Sequence, residues 1–338
     1  MATVYHDRDA EPNALEGRTV GIVGYGNQGR AQGRNMRDSG VNVIVGNAED
    51  AYRSQAIAEG FTVLSIAEAA RQADIVLMLL PDELQPAVYG DQVAPHLSPG
   101  DVLCFASGYN IHYGRIAPPD GVDVILVAPR MIGQAVRNLY VKGAGFPCLV
   151  AAHQDPSGSA MKTALALARA IGATRFGAFE SSFREETLID LFAEQMLWPG
   201  IVKLCLLYFE KLTAAGCDPE VVTTELYLSG EFVEIARAMI TEGFFGQLKL
   251  HSHTSQYGQL SRADRMAPPG LLKAVDAAME EIQSGAFARE WAAEQEAGLP
   301  ALNRLWQQAL RHPMTDSEKR LAPLREMIAA WILDDQPR

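Results

Sequence analysis

The segment TVGIVGYGNQGRAQGRNM, residues 19–36, decides the fold of the first half of this chain. Its first five residues form a short apolar run rich in β-branched side chains, which is typical of a buried strand. Three glycines spaced G-x-G-x-x-G follow at Gly24, Gly26 and Gly29, and a helical pattern comes after them. The glycines would permit a tight turn, and the helix N-terminus would offer amide donors to a pyrophosphate. This order of elements predicts a dinucleotide-binding unit.

Short apolar runs alternate with helical patterns through the first half of the chain. The runs are nearly continuous rather than alternating, as in parallel strands that are covered on both faces. From Arg184 onward the sequence has long helical periodicities and no clear strand. We therefore predict a Rossmann-like α/β domain with a doubly wound parallel sheet over residues 1–182, followed by an all-α domain over residues 183–328. The predicted strands are 19–23, 42–46, 74–80, 101–106, 123–128 and 147–152.

The composition excludes several classes of partner. The 338 residues carry a formal net charge of −12, which repels nucleic acid and anionic membrane surfaces. The N-terminus has no secretory pattern, and no apolar run approaches the roughly 18–20 residues that span a bilayer. The four cysteines form no CxxC pair, so we read them as reduced thiols. These features predict a cytoplasmic protein with a small-molecule substrate.

The residues after the second strand bear on the choice between NADH and NADPH. The group Asn47–Asp50 includes two carboxylates and disfavours a 2′-phosphate, whereas Arg53 and Ser54 could bind one. We favour NADH on this evidence and keep NADPH open.

Two carboxylates in the apolar segment LIDLFAEQMLW, residues 188–198, suggest a metal site. Asp190 and Glu194 are four residues apart and would share one face of a helix, where like charges repel. They are either exposed acids or ligands of a cation. Carboxylate oxygens suit Mg²⁺, and the absence of histidine and cysteine argues against zinc. A later helical stretch carries three further acids: Glu225, Glu231 and Glu234.

Eight segments of the chain form a recognisable series: GYGNQG (24–29), LLPDELQ (79–85), GYNIHYG (108–114), VAP (127–129), EETLIDLFAEQ (185–195), SHTSQYG (252–258), IQSGAFAREW (282–291) and HPM (312–314). In content and order they resemble the short, class I form of the ketol-acid reductoisomerases. That family binds NAD(P)H and two Mg²⁺ ions, promotes an alkyl migration in a 2-acetohydroxy acid, and then reduces the new carbonyl.

The resemblance also implies roles for particular residues. It implies a homodimer or higher homo-oligomer with shared active sites, to which the neighbouring subunit contributes Glu225, Glu231 and Ser252. The implied metal ligands are Asp190, Glu194, Glu225 and Glu231, and the implied catalytic residues are Asp190, Glu194, Arg130, Ser107 and Ser252. The implied cofactor contacts are Gly24, Tyr25, Gly26, Asn27, Gln28, Gly29, Asn47, Ser54, Asp82, Gln85, Ser107 and Gly133.

Three positions depart from the family pattern. Ser107 stands where the family has a histidine, and Arg130 stands where it has a lysine. Serine is not a proton carrier near neutral pH, and the forked guanidinium does not replace a compact ammonium. The place of the second helical glutamate holds Ser229, and Glu231 would face another direction unless the helix is distorted. The second metal site is therefore in doubt.

These departures concern the residues that the alkyl migration requires, whereas hydride transfer requires less. We therefore predict an NAD(P)H-dependent reductase without isomerase activity. Its substrate would be a small 2-oxo acid or a cyclic imine of a specialised biosynthetic pathway. With an imine, Asp190 or Glu194 would donate the proton and no metal would be required. The alternatives are a genuine Mg²⁺-dependent ketol-acid reductoisomerase and a non-catalytic nucleotide-binding protein.

Overall fold

The computed structural model describes residues 2–325 and divides the chain into two compact units, with the division after Asp190. Phe183 packs in a core of the first unit, with the strand residues Phe105 and Ala151. The boundary after residue 182 stays a prediction, and the end of the helical domain at residue 328 lies outside the described residues.

The first unit is built on a nine-stranded sheet in the order β1-β9-β8-β7-β6-β5-β2-β3-β4. All neighbouring strands are parallel except the pairs β1–β9 and β7–β8. The Rossmann-like fold class is confirmed. The strands are β1 (Val4–Tyr5), β2 (Thr19–Val23), β3 (Asn42–Gly46), β4 (Thr62–Leu64), β5 (Ile75–Met78), β6 (Val102–Phe105), β7 (Asp123–Pro129), β8 (Pro147–Gln154) and β9 (Gly177–Glu180).

The observed sheet differs from the predicted one in the direction of one strand and in having three additional strands. Strand β8 is antiparallel to β7 and parallel to β9, whereas its continuous apolar run predicts a parallel strand within a parallel sheet. An apolar run reports burial and carries no information on direction. The sequence analysis also missed β1, β4 and β9, which have only two, three and four residues.

Helices cover both faces of the sheet and explain the continuous apolar runs. In β5, Ile75 and Leu77 belong to one core cluster, and Val76 and Met78 belong to the cluster on the opposite face. Every residue of the strand is therefore buried. The helices of this part of the chain are α1 (Asn27–Asp38), α2 (Ala51–Ala58), α3 (Ile66–Gln72), α4 (Gln85–Val88), α5 (Tyr109–His112), α6 (Gly133–Val141), α7 (Ala160–Ala170) and α8 (Phe183–Phe192).

The second unit is helical throughout its described part. A small core forms around Phe209, Val222 and Met314. Two π-helical turns interrupt the regular helices, at Ala193–Leu197 and at Thr224–Leu228. The α-helices are α9 (Trp198–Ala214), α10 (Pro219–Thr223), α11 (Glu231–Glu242), α12 (His253–Arg262), α13 (Pro269–Gln283), α14 (Ala286–Glu296), α15 (Pro300–Ala309) and α16 (Met314–Arg320).

One continuous helical stretch corrects the expectation about apolar length. Residues Phe183–Ala214 form a helix of 32 residues, with an 18-residue window of mean hydropathy 1.2. By length and composition alone this helix could cross a bilayer. The same test is passed by core helices of soluble proteins, so one such helix is weak evidence for a membrane.

Candidate active site

The three glycines of the first turn have three different physical roles. Gly24 has φ +96°, a conformation that side chains other than glycine rarely adopt. A Cβ atom on Gly29 would lie 1.9 Å from the Gly24 carbonyl oxygen, so α1 can approach β2 only with glycine there. A Cβ atom on Gly26 would meet nothing within 4 Å, because this residue faces open space. The turn therefore fits a pyrophosphate at Gly26.

Side chains of the turn attach it to the loop that follows β7. Asn27 Oδ1 accepts a hydrogen bond from the Gly133 N–H at 2.7 Å, and Gln28 Nε2 donates to the Met131 carbonyl at 2.9 Å. On the other side, the Tyr25 N–H donates to Asn47 Oδ1 at 2.8 Å. Five residues that the resemblance assigned to the cofactor thus connect the protein's own loops around the turn.

The loop after β3 is held by Asp50 and Arg53. Asp50 is the N-cap of α2, and its Oδ1 accepts from the Arg53 N–H at 3.0 Å and from Asn47 Nδ2 at 2.9 Å. The Arg53 guanidinium donates to the carbonyls of Asn47 at 3.0 Å and Leu64 at 2.9 Å. Ser54 lies in α2 and is exposed. Asp50 and Arg53 therefore stabilise the conformation of this loop through hydrogen bonds within it.

A polar cluster lies where β5 and β6 end. The Ser107 hydroxyl donates to Asp82 Oδ2 at 3.0 Å. Asn110 Nδ2 donates to the Asp82 carbonyl at 2.9 Å and to Gln85 Oε1 at 3.2 Å. The serine that replaces the family's histidine is thus oriented by a carboxylate. Because the carboxyl ends of parallel strands form the usual ligand crevice of such sheets, this cluster lies where a substrate is expected.

Arg130, at the end of β7, forms ion pairs with two acids of α8. Its two terminal nitrogens lie 2.8 Å from Glu186 Oε1 and 2.7 Å from Asp190 Oδ1. Glu186 Oε2 also accepts from the Gly108 N–H at 2.6 Å. Glu186 is only 2% exposed, whereas Asp190 is half-buried. The arginine therefore links a buried acid to an accessible one beside the Ser107 segment.

The sequence analysis missed Glu186. Its signal was its position four residues before Asp190, which places both on one helical face. Burial raises the pKa of the Glu186 carboxyl to about 7, although its bonds to Gly108 and Arg130 act in the opposite direction.

This shifted pKa makes stability depend on pH. A carboxyl whose pKa rises on folding from its ordinary value of 4.5 to about 7 holds its proton more tightly in the folded chain. Its contribution to stability is complete below pH 4.5 and is lost as the pH rises through 7. We expect the wild type to lose on the order of 1–3 kcal/mol relative to Glu186→Gln between pH 5 and pH 8. Urea unfolding at both pH values measures this difference.

Glu185→Gln is the matched control, because the Glu185 side chain is exposed and accepts a hydrogen bond from the Ser181 hydroxyl at 2.7 Å. The stability difference between this variant and the wild type should not change with pH. A difference between wild type and Glu186→Gln that is the same at pH 5 and pH 8 would contradict the assignment.

The remaining candidate ligands lie in the second unit, at helix irregularities. Glu194 lies in the first π-helical turn and Glu225 in the second, and both side chains are exposed. Gly230 has φ +84°, and α11 begins at Glu231 directly after it. The helix between Glu225 and Glu231 is therefore distorted, which is the condition under which the sequence analysis allowed Glu231 to replace Ser229 as a ligand. Such π-helical turns are common at functional sites.

A complete metal cluster does not form within residues 2–325 of one chain. No group of three or more His, Cys, Asp or Glu side chains there is arranged to hold a metal. Ser252, the predicted substrate contact, is the N-cap of α12 and accepts from the Ser255 N–H at 3.3 Å. Its hydroxyl can still donate a hydrogen bond outward.

The Rossmann sheet, the glycine turn and the polar groups at its strand ends define a nicotinamide-dinucleotide-dependent oxidoreductase. The family model of the acetohydroxy acid isomeroreductase NADPH-binding domain matches residues 14–177, and that of the ketol-acid reductoisomerase C-terminal domain matches residues 183–327. The chain belongs to the ketol-acid reductoisomerase family.

Known ketol-acid reductoisomerases are similar in sequence to this chain over nearly their whole length. The ketol-acid reductoisomerase (NADP(+)) of Methanopyrus kandleri is 45% identical over 95% of this chain and 98% of its own. That of Pyrobaculum aerophilum is 44% identical over 93% and 96%. The solved structure of an NADH-preferring ketol-acid reductoisomerase from an uncultured archaeon superposes with a TM-score of 0.87 at 35% identity, covering 99% of this chain and 100% of its own.

These relatives overturn the prediction of a reductase without isomerase activity. Proteins that are 44–45% identical over almost the full length are named ketol-acid reductoisomerases, which supports the alternative of a genuine enzyme of that type. The structure also weakens two of the arguments behind the wrong prediction. Arg130 still places a positive charge next to Asp190. The doubt about Glu231 as a ligand assumed a regular helix, and the helix is interrupted at Gly230, directly before Glu231.

Proposed function

We propose that this protein is a Mg²⁺-dependent ketol-acid reductoisomerase. It converts a 2-acetohydroxy acid by alkyl migration into a 3-hydroxy-2-oxo acid, which NAD(P)H then reduces. The observation that carries the proposal is the Arg130–Glu186–Asp190 cluster, which lies next to Ser107 and Gly108. The same chain has a cofactor turn in which Gly24 and Gly29 permit the backbone conformation and Gly26 faces open space. The near full-length identity to named reductoisomerases supports it.

The residues present fit both cofactors that the family implies. The open space at Gly26 suits a pyrophosphate. The carboxylates Asp190 and Glu194 supply hard oxygen donors, and Mg²⁺ commonly binds through one or two carboxylates while keeping water and substrate oxygens. When bound, Mg²⁺ polarises the substrate carbonyl as a Lewis acid. In the proposal Asp190 and Glu194 hold this ion, and Glu225 and Glu231 complete the site.

The protein groups around the substrate have distinct tasks. Glu186 is buried and fixes the Arg130 guanidinium, whose charge is permanent. Arg130 in turn orients Asp190 and places a positive charge where negative charge develops on the substrate. Asp82 accepts a hydrogen bond from the Ser107 hydroxyl, and the Tyr109 N–H donates to the same hydroxyl oxygen, so both contacts fix its orientation. Ser252 offers a hydroxyl to the substrate.

We further propose a homodimer with shared active sites, in the cytoplasm. The second unit exposes large apolar side chains that a single copy leaves uncovered: Ile240 is 85% exposed, Phe245 is 72% exposed and Trp198 is 57% exposed. Exposed apolar surface of this kind marks an interaction face. A second copy of the chain is the proposed occupant, and it would contribute Glu225, Glu231 and Ser252.

Turnover with two substrates tests the assigned reaction. We expect Mg²⁺-dependent oxidation of NAD(P)H with 2-acetolactate and also with the rearranged 3-hydroxy-3-methyl-2-oxobutanoate. Chelation of Mg²⁺ should abolish the first reaction. Reduction of the rearranged compound alone would show that the migration is absent and would refute the proposal. The measurement is the absorbance of the reduced cofactor at constant pH, with identification of the dihydroxy acid product.

A further inference from the structure

A cavity of about 760 Å³ lies in the first unit, between the N-terminal segment and the helices α1, α6 and α7. Its wall includes Asp38 at the end of α1, the residues Ser39–Val41 that follow, Tyr140 near the end of α6, and Arg169 near the end of α7. The cofactor turn lies at the start of α1, and the twelve residues of this helix span about 18 Å. The cavity therefore lies at the opposite end of α1 from the cofactor turn.

The N-terminal segment, residues 7–16, forms one part of the wall and is anchored to the sheet domain. The Thr174 hydroxyl donates a hydrogen bond to Asp7, and Arg169 donates to the Ala10 carbonyl at 3.1 Å. Ala10 is buried in the core, and Leu15 packs against the same core. Because the segment is held at these places, this part of the wall has a defined position.

Two arginines of the wall have no acidic partner. The Arg169 side chain donates to the Ala10 carbonyl, and Arg175 donates to the Tyr140 carbonyl at 3.1 Å while its guanidinium stacks over the Tyr140 ring at 4.6 Å. In the described part of the chain, no carboxylate lies within ion-pair distance of either guanidinium. A guanidinium has five N–H donors, so both arginines can still donate to a carboxylate.

Two of the four acids of the wall have no basic partner. Glu11 and Asp38 each pair with a basic residue outside the lining. The Asp7 carboxylate accepts only from a hydroxyl, and the Glu16 side chain forms no hydrogen bond or ion pair among residues 2–325. Two arginines and two carboxylates without partners therefore share one cavity, beyond ion-pair distance from one another. A ligand that carries both charges can bridge this gap.

Apolar side chains complete the wall. Ala166 and Ala170 are buried on α7, and Leu15 and Val41 pack against the core cluster beneath them. The volume of the cavity lies within the range of small-molecule sites. The lining therefore combines groups of both charges with an aliphatic surface.

We propose that this cavity binds an α-amino acid with an aliphatic side chain. Arg169 and Arg175 bind its carboxylate, and Asp7 and Glu16 bind its ammonium group. A simple anion would leave the two carboxylates without a countercharge, and a simple cation would leave the two arginines without one. The inference goes beyond the proposed function and does not depend on it, because the cavity lies away from the cofactor turn.

Three related probes test the site by calorimetric titration into the full-length protein. They are L-norleucine, hexanoate, which lacks the ammonium group, and pentylamine, which lacks the carboxylate. We expect saturable binding of L-norleucine and at least about tenfold weaker binding of each of the other two, the scale of one lost charge-assisted contact. Saturation with NADPH should leave these affinities unchanged, since the cofactor turn lies at the other end of α1.

Two variants separate recognition of the carboxylate from recognition of the ammonium group. Arg175→Met should weaken L-norleucine and hexanoate by about tenfold and leave pentylamine within about twofold, whereas Glu16→Gln should weaken L-norleucine and pentylamine and spare hexanoate. Both side chains are exposed, so both variants should fold. Arg71→Met is the matched control, because Arg71 is exposed on α3 outside the cavity, and it should leave all three affinities unchanged.

Four results would overturn the proposal. Hexanoate that binds as tightly as L-norleucine would assign the cavity to a simple anion, and pentylamine that does so would assign it to a cation. Absence of saturable L-norleucine binding would show that the cavity does not take an amino acid. Displacement of L-norleucine by NADPH would place the ligand at the cofactor turn. None of these results bears on turnover of 2-acetolactate, so failure of this inference is distinguishable from failure of the proposed function.

Discussion

Asp190→Asn is expected to lower kcat for 2-acetolactate on the order of a thousandfold, the scale seen when a preorganised charged group is removed from an active site. The substitution keeps the size of the side chain and an oxygen that Arg130 can contact, but it removes the negative charge that Mg²⁺ requires. Steady-state kinetics over a range of Mg²⁺ concentrations measures the effect. The thermal midpoint should change little, because Asp190 is half-buried rather than buried.

The control for this variant is again Glu185→Gln, a substitution of an exposed acid on the same helix that should keep wild-type kinetics.

A second control mixes two inactive variants and tests whether each active site is formed by two subunits. Asp190→Asn and Glu225→Gln subunits are both expected to be inactive. When the two are mixed and reassembled, about a quarter of the sites should carry neither defect. If Asp190→Asn retains Mg²⁺-dependent turnover within tenfold of the wild type, Asp190 does not hold the metal.

Gly29→Ala is expected to destabilise the first unit by about 3 kcal/mol or more, since overpacking against backbone is among the larger single-residue effects. The added Cβ would lie 1.9 Å from the Gly24 carbonyl oxygen, and the backbone there has no flexible side chain that could move away. For a unit of this size that corresponds to a fall of roughly 10 °C in the thermal midpoint. Thermal unfolding without cofactor measures it.

Gly26→Ala separates folding from binding. Its Cβ would meet nothing within 4 Å, and its φ of −76° suits alanine, so the unfolding midpoint should match the wild type. The methyl group would occupy the approach of the pyrophosphate, and affinity for NADH and NADPH should fall at least about tenfold. Wild-type cofactor affinity in Gly26→Ala would show that the pyrophosphate does not lie on this turn.

The parts of the fold that could be predicted are those whose cause is local in the sequence. Strands β2 and β5 are apolar at nearly every position because both faces of the sheet are covered, and the glycine spacing records a steric requirement directly. The direction of β8 depends on the connection through α6 and not on its own residues. The two-residue β1 and the three-residue β4 are too short to produce a periodic pattern.

The candidate site likewise contains residues that the sequence could predict and residues whose role depends on the folded structure. The acids of α8 could be found from their spacing, but the role of Glu186 depends on Arg130, which is distant in sequence and reaches it only after the sheet has formed. The π-helical turns around Glu194 and Glu225 are changes in hydrogen-bond phase that composition does not encode. The function prediction failed because it treated Ser107 and Arg130 as isolated replacements. Each has a carboxylate partner in the folded chain.

The attachment of the glycine turn to the loop after β7 limits how this enzyme can be redesigned. A Cβ atom on Gly133 would lie 2.0 Å from the Asn27 carbonyl oxygen, while the Gly133 amide is bonded to the Asn27 side chain. Gln28 is bonded to Met131 in the same loop. Grafting residues 131–134 from a relative would therefore require transplanting positions 27 and 28 as well. The two segments behave as a single exchangeable module, although more than a hundred residues separate them in the chain.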